Sequence, residues 1–281
     1  MSVNKKTSKL AVLGELGAYP LFLKAVEATL KYEWHLKCTA DTNSLVCNVI
    51  EEMKTMATNK VDCWLTHTVK MRELLKVDFL PPFLKPDIVR SKIKKKLKEI
   101  FGNFWLSEIN KIDFKGCVCG HDHSKLRLYK QFKGTFSAEP YLDNVRNRNQ
   151  RCWISRMRTS RHFLGVEKGR WHNIPYHERV CKYCESTSVD NELHFLTKCS
   201  LSESNRTSYF MILSSINRHF NSLSDDLKTN FILCPTDAVT AKLANKYISL
   251  LFQTRDKVDK GQPIDNVEII SYTRLTVPEI L

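Results

Sequence analysis

Apolar residues recur along most of this chain at the three- and four-residue spacing of helix faces. Over 11–38, behind Gly14 to Gly17 and the helix-start pair Tyr19-Pro20, they fall at Leu23, Val26, Leu30 and Trp34. A second helical stretch carries Leu45, Val49 and Met53. A third carries Val61, Leu65, Val69 and Leu74 and is broken by Pro81, Pro82 and Pro86. The run from Ser91 to Trp105 places Ile93, Leu97, Ile100 and Phe104 on one stripe, with Lys92, Lys94, Lys95, Lys96 and Lys98 around it. A solvated face is the ordinary reading of such lysines, and phosphate contact is the alternative.

The pattern lapses from Asp113 to Lys125 and resumes over 126–136. It then predicts a longer helix from Asn144 to Leu164, ended near Gly165, and an irregular connector over 166–180 containing Gly169 and Pro175. Residues 181–199 are too rich in turn formers for one regular element. Helices return over 204–220 and 237–255. Val267 to Val277 alternates weakly and is β-branched, which suits a strand or a loose end. The expected fold is therefore mainly α: a helical, linker-like domain over 1–110, a basic helical region over 111–256 with a small zinc-stabilised loop, and an irregular tail over 257–281.

Composition narrows the partner. Among 281 residues, 44 Lys and Arg stand against 30 Asp and Glu, a net charge of +14, which favours a polyanion and nucleic acid first. No uninterrupted apolar run approaches the ~18 residues of a membrane span. The opening segment does not read as a secretory signal, since Glu15 interrupts its short apolar stretch. The ten cysteines are thus expected in a reducing compartment, nuclear or cytoplasmic, as core residues or metal ligands.

The strongest chemical signal is Cys181 and Cys184, nine residues, His194, four residues, and Cys199. Three thiolates and an imidazole are a normal tetrahedral Zn2+ set, and four filled positions leave none open for catalysis. The plainer alternative is buried thiols and a core histidine. Cys117, Cys119, His121 and His123 form a weaker cluster, because alternate spacing on a short loop wraps poorly around one ion.

Between Arg146 and Arg170 lie eight basic residues, Arg146, Arg148, Arg151, Arg156, Arg158, Arg161, Lys168 and Arg170, against one acid, Glu167. On the predicted helix, Arg148, Arg151, Ser155, Arg158 and His162 share one stripe, while Trp153, Ile154, Met157 and Leu164 take the other side. A one-sided arginine stripe suits phosphate, and Trp171, His172 or Tyr183 can stack on bases. Asp225 and Asp226 lack the hairpin setting of a polymerase metal site and read as first-turn acids behind the helix cap Ser224. No P-loop, nucleophile elbow or triad is present, and no enzymatic centre is expected.

Taken together, several of these stretches resemble a known family. Leu126 to Lys133, Tyr141-Leu142, Val145 to Arg148, Arg156 to His162, Glu167 to Arg170, Ile174-Pro175 and Glu178 to Cys181 resemble the region downstream of the polymerase domain in LINE-like (non-LTR) retrotransposon reverse transcriptases. The likeness continues through Cys184, Glu192 to Leu196, Cys199 and Arg206. Upstream, Gly14 to Gly17, Tyr19-Pro20, Trp64, Val69, Arg72, Leu74 and Leu75 are similar to that family's post-thumb linker helices, and Lys242 to Arg255 to its closing segment. The resemblance spans about 11–256. It departs at Ala18, where many relatives have arginine, and at Ser200, where proline is common; the Cys117–His123 cluster and the tail match nothing in it. The polymerase aspartates and the endonuclease are absent. What the resemblance implies is a zinc-bearing region that grips RNA or DNA beside a polymerase, encoded separately, with Cys181, Cys184, His194 and Cys199 as ligands and the arginine region as contact surface. A protein–protein adaptor presenting Phe195 and Leu196, or a non-functional transposon remnant, are the competing expectations.

Overall fold

The computed structural model describes residues 8–39, 44–77, 80–81, 84–111 and 124–263. The Cys117–His123 cluster and the segment 267–277 lie outside the described residues. The fold is mainly helical, and the chain divides into two compact units, Gly17–Glu108 and Met1–Leu16 with Ile109–Leu281. The division differs from the expected one at the N-terminus, where the first helix, α1 (Lys9–Leu16), groups with the downstream unit.

In the first unit, α2 (Leu21–Thr39) buries Leu23, Val26, Leu30 and Trp34, the four positions its periodicity picks out. Helices α3 (Leu45–Thr58) and α4 (Trp64–Leu75) follow, but α3 buries Ile50 and leaves Leu45 and Val49 exposed, and α4 leaves Leu74 exposed. Helix α5 (Pro86–Ile109) begins with a proline at its first turn, where the missing N–H costs nothing. Its buried stripe is Val89, Ile93, Leu97, Phe101, Trp105 and Ile109, a strict four-residue repeat that leaves Phe104 outside. Lys92, Lys94, Lys95 and Lys98 are exposed on the remaining surface.

The second unit is built around α12 (Ala238–Asp259), whose start is fixed by Asp237 accepting from the N–H groups of Val239 and Thr240 at 2.8 and 2.9 Å. Its inner face, Ala241, Ala244, Ile248 and Leu251, shares one core with Ile154 and Met157 of α8 (Cys152–Arg158), Tyr209 and Leu213 of α10 (Glu203–Ile216), and Ile232 and Leu233 of α11 (Asp225–Leu233). Tyr209 stacks on Tyr247 with ring centroids 4.0 Å apart. Ser224 caps α11 through the N–H of Leu227, so Asp225 and Asp226 are first-turn acids. Two short helices, α6 (Tyr129–Phe132) and α7 (Pro140–Asn144), complete the unit's upstream part; α6 is a single turn where the periodicity over 126–136 predicts a longer helix.

The long helix predicted from Asn144 to Leu164 does not form. The Asn147 side chain accepts from the N–H of Asn149 at 2.9 Å, an Asx turn that competes with helical bonding, and only a 3-10 turn follows at Arg148–Gln150. Helix α8 then stops at Arg158 in a Schellman motif: Arg161 N–H donates to the Arg156 carbonyl at 2.6 Å and Ser160 N–H to Met157 at 3.2 Å, with Ser160 left-handed at φ 51°. Nor is 166–180 wholly irregular, since Gly165 opens helix α9 (Gly165–Trp171) rather than closing its predecessor. Among the described residues, no helix is long and apolar enough to cross a membrane.

Candidate metal centre

Cys181 enters through a tight hairpin-like brace. Val180 and Val189 form an antiparallel bridge, Cys181 N–H donates to Ser188 at 3.0 Å, and Asp190 N–H donates to Arg179 at 2.8 Å. The intervening Lys182-Tyr183 pair brings Cys184 back to the same point. His194 and Cys199 lie at the two ends of a wide π-helical turn, His194–Lys198, closed by Cys199 N–H on the His194 carbonyl at 2.8 Å. Five residues of α-helix would rotate these side chains well apart, and the wider turn keeps them together. Asn191 starts that turn, its side-chain oxygen accepting from His194 N–H at 2.9 Å.

One ligand atom from each of Cys181, Cys184, His194 and Cys199 lies within 4.8 Å of all the others. The Cys181 and Cys199 sulfurs are 3.9 Å apart, and Cys184 Sγ is 3.4 Å from His194 Nε2. These edges suit a tetrahedral ion bound by sulfur at about 2.3 Å and imidazole at about 2.0 Å. The sulfur separation is far beyond the ~2.05 Å of a disulfide. Sharing its proton with Cys199 and burial push the Cys181 thiol up. That bond, then those from His194 and Arg255, hold Cys199 well below the usual thiol range despite its burial. The Cys3His donor set can hold a metal ion such as zinc.

No protein-family model matches the chain, and none of the curated proteins or solved structures compared with it matches either.

Two residues that the sequence reading passed over support the ligands. Arg255, on α12, makes a two-pronged pair with Asp190 at 2.8 and 3.1 Å and reaches toward Cys181 Sγ at 3.6 Å and Cys199 Sγ at 3.9 Å. Its guanidinium lies 4.4 Å from the Tyr183 ring centre and 4.6 Å from that of Phe195. Asp190 also accepts from Gly165 N–H at 2.6 Å, tying the ligand loop to the first turn of α9. The available signal was Arg255 continuing the apolar stripe of α12, a buried position where a charge must find a partner.

The predicted nucleic-acid residues are scattered by the broken helix. Arg158 is fully buried, paired with Glu15 at 2.8 Å and Glu139 at 2.8 Å and donating to the Leu233 carbonyl at 3.0 Å, so it is unavailable to phosphate. Arg151 is committed to the carbonyls of Leu142 and Val145, closing the turn before α8. His162 is buried against Glu192 at 2.8 Å. Arg170 is bound to Glu167 at 2.5 Å, and Arg127 joins the same Glu167 to Glu192. The stripe Arg148, Arg151, Ser155, Arg158 and His162 is therefore not a surface.

On the outside remain Arg146, Arg148, Lys168 and Trp171, with Arg156 and Arg161 half-buried. Arg156 lies 4.6 Å over the ring of Trp153. Phe195 and Leu196 have no exposed area; they sit in the core, and Tyr247 donates to the Leu196 carbonyl at 2.6 Å. An adaptor that presents those two side chains to a partner is thereby overturned.

Proposed function

We propose that the second unit is a zinc-organised nucleic-acid-binding module, of the kind found downstream of the polymerase in LINE-like reverse transcriptases, without a polymerase centre of its own. The observation that carries the reading is the convergence of Cys181, Cys184, His194 and Cys199 within 4.8 Å, at the chain spacing on which that resemblance rests. Zinc is the ion three thiolates and one imidazole favour, and with all four positions filled by protein its role is structural.

Bound there, the ion supplies rigidity. The chain's own residues do the rest: Arg255 and Asp190 fix the loop against α12 and α9, and Lys182 and Tyr183 bind Asp259 at the end of α12. Arg146, Arg148, Arg156 and Lys168 supply phosphate contacts, and the half-exposed Trp171 offers a stacking face. RNA or DNA is the partner, in nucleus or cytoplasm, beside a polymerase.

The test is fluorescence anisotropy of a labelled structured RNA across a salt series, repeated after zinc chelation. Four or five phosphate contacts give a slope of log affinity on log salt of roughly −3 to −4. Binding should weaken further when the metal is stripped. Weak binding that ignores both salt and chelator would remove the reading.

A further inference from the structure

We propose that a cleft beside the ligand loop, between α8 and α12, seats unstacked bases of a single-stranded nucleic acid; this rests on the nucleic-acid reading above and assigns its ligand form. The cleft has a volume of about 400 Å³ and is lined by four aromatic rings, Trp153, Phe163, Tyr183 and Phe252, with Lys168 at its edge. The rings come from four separate places: α8, the loop after it, the loop between Cys181 and Cys184, and α12. Trp153 and Phe252 already stack, centroids 4.7 Å apart and planes 18° apart. Phe163 is 53% exposed and meets the half-exposed Trp171 edge-on at 6.3 Å. Trp153, Tyr183 and Phe252 are half-buried, while Phe163 and Trp171 are open to water on separate elements, the platform that single-strand binders use, because every base has a π face.

Charge decides the occupant. The cleft's acids are already neutralised: Asp259 binds Lys182 at 2.6 Å and Tyr183 Oη at 2.7 Å, and Asp256 binds Lys260 at 2.6 Å. Lys168 is exposed at the cleft, where Lys182 and, with it, Lys168 help hold the Asp259 carboxyl below its usual range. Farther along the same pair of elements, Asn245 of α12 accepts from Trp153 N–H at 2.8 Å and donates to the Asn149 carbonyl at 2.9 Å, laying the Arg148–Gln150 turn along α12. Residues 144–156 and 238–255 contain no acid, while exposed Arg146, Arg148, Lys242 and Lys246 lie on them. A basic track thus runs alongside α12 to an aromatic cleft. A backbone fits the first, and its bases fit the second. A duplex, with its bases stacked inside, can use only the track.

The experiment uses the full, zinc-loaded chain with two probes, a short labelled oligouridylate and an RNA duplex of equal length, and the variants Phe163→Ala and Phe163→Trp. Phe163 is exposed, so neither variant should disturb folding, and melting curves check this. Loss of one stacking face should weaken oligouridylate binding about tenfold and leave duplex binding within about twofold, with Phe163→Trp restoring the wild-type value. Equal effects of Phe163→Ala on both probes, or none on either, would overturn the cleft and leave the nucleic-acid reading standing. If the wild type binds neither probe, the nucleic-acid reading itself falls and takes the cleft with it.

Discussion

Arg158 shows what a residue's neighbours in sequence cannot reveal. Its pattern-mates Arg148 and Arg151 suggest a phosphate-binding face, yet its guanidinium is enclosed by Glu15, Glu139, the Leu233 carbonyl and the Phe132 ring, 4.4 Å away. Glu15 in turn accepts from Tyr141 Oη at 2.6 Å. Those partners are more than a hundred positions away at Glu15 and about twenty at Glu139, a pairing no local periodicity encodes. A buried ion pair that loses one member leaves the other charge uncompensated, at a cost of about 3–5 kcal/mol. Arg158→Met should therefore lower the unfolding free energy by that order, and with it the denaturant midpoint, whereas Arg146→Ala, at an exposed site, should change stability by no more than about 0.5 kcal/mol. Comparable midpoints for the two variants would show that the Glu15 pair does not hold the unit together. The ligand residues are legible for the opposite reason: all four fall within nineteen positions, at spacings that let them meet on one ion.

At the scale of elements, periodicity located α2, α5, α10 and α12 but not their stops or, in α3, the buried face. Helix α5 follows a strict four-residue stripe, so the three-residue step to Ile100 misled the reading at Phe104. Helix α8 ends in a left-handed residue that is serine where glycine is usual, and nothing in the sequence flags it. In the sequence, Gly165 suggests a helix end and Gly169 an irregular connector. Both instead sit in α9 because other chain crosses there: a Cβ at Gly169 would lie 2.5 Å from Arg179 Cγ, and Arg179 is fixed by bonds to the carbonyls of Ile174 and Val166 at 2.8 Å each. Two substitutions should then act against the usual rule. Gly169→Ala, ordinarily stabilising in a helix, should destabilise by about 1–3 kcal/mol through overpacking. Ser160→Gly, ordinarily destabilising, should stabilise by about 1 kcal/mol, since relief of a left-handed residue worth roughly 1–2 kcal/mol exceeds the added chain entropy. Thermal melts of the two variants check both signs, and a stabilised Gly169→Ala would mean that Arg179 does not lie across α9.

At the scale of the molecule, the question is how far the metal centre supports the rest. The ligand loop is tied to the rest of its unit through Phe195 and Leu196 in the core, the Arg255–Asp190 pair, Glu192 on Arg127 and His162, and Arg206 donating to the Cys199 carbonyl at 2.7 Å. Hydrogen bonds from Cys181, His194 and Arg255 favour the thiolate of Cys199, the form a metal ion binds. Coordination free energy in such sites is folding free energy, so removing a ligand should release the loop first. Cys184 is the ligand to change, because it is half-buried and lies outside the core. Cys184→Ser should bind less than the wild type's expected single equivalent of zinc and gain protease cleavage between 181 and 199. Its helical circular dichroism should fall only slightly, because α10, α11 and α12 also pack on one another through Tyr209, Leu213, Ile232 and Leu251, beside the loop's Phe195 and Leu196. Chelation of the wild type should reproduce the same cleavage pattern. A variant with unchanged zinc content and unchanged cleavage would show that the four side chains meet for packing alone. Global loss of helix would show instead that the ion holds the whole unit, through Arg255 at one end of α12 and Asp190 at the start of α9.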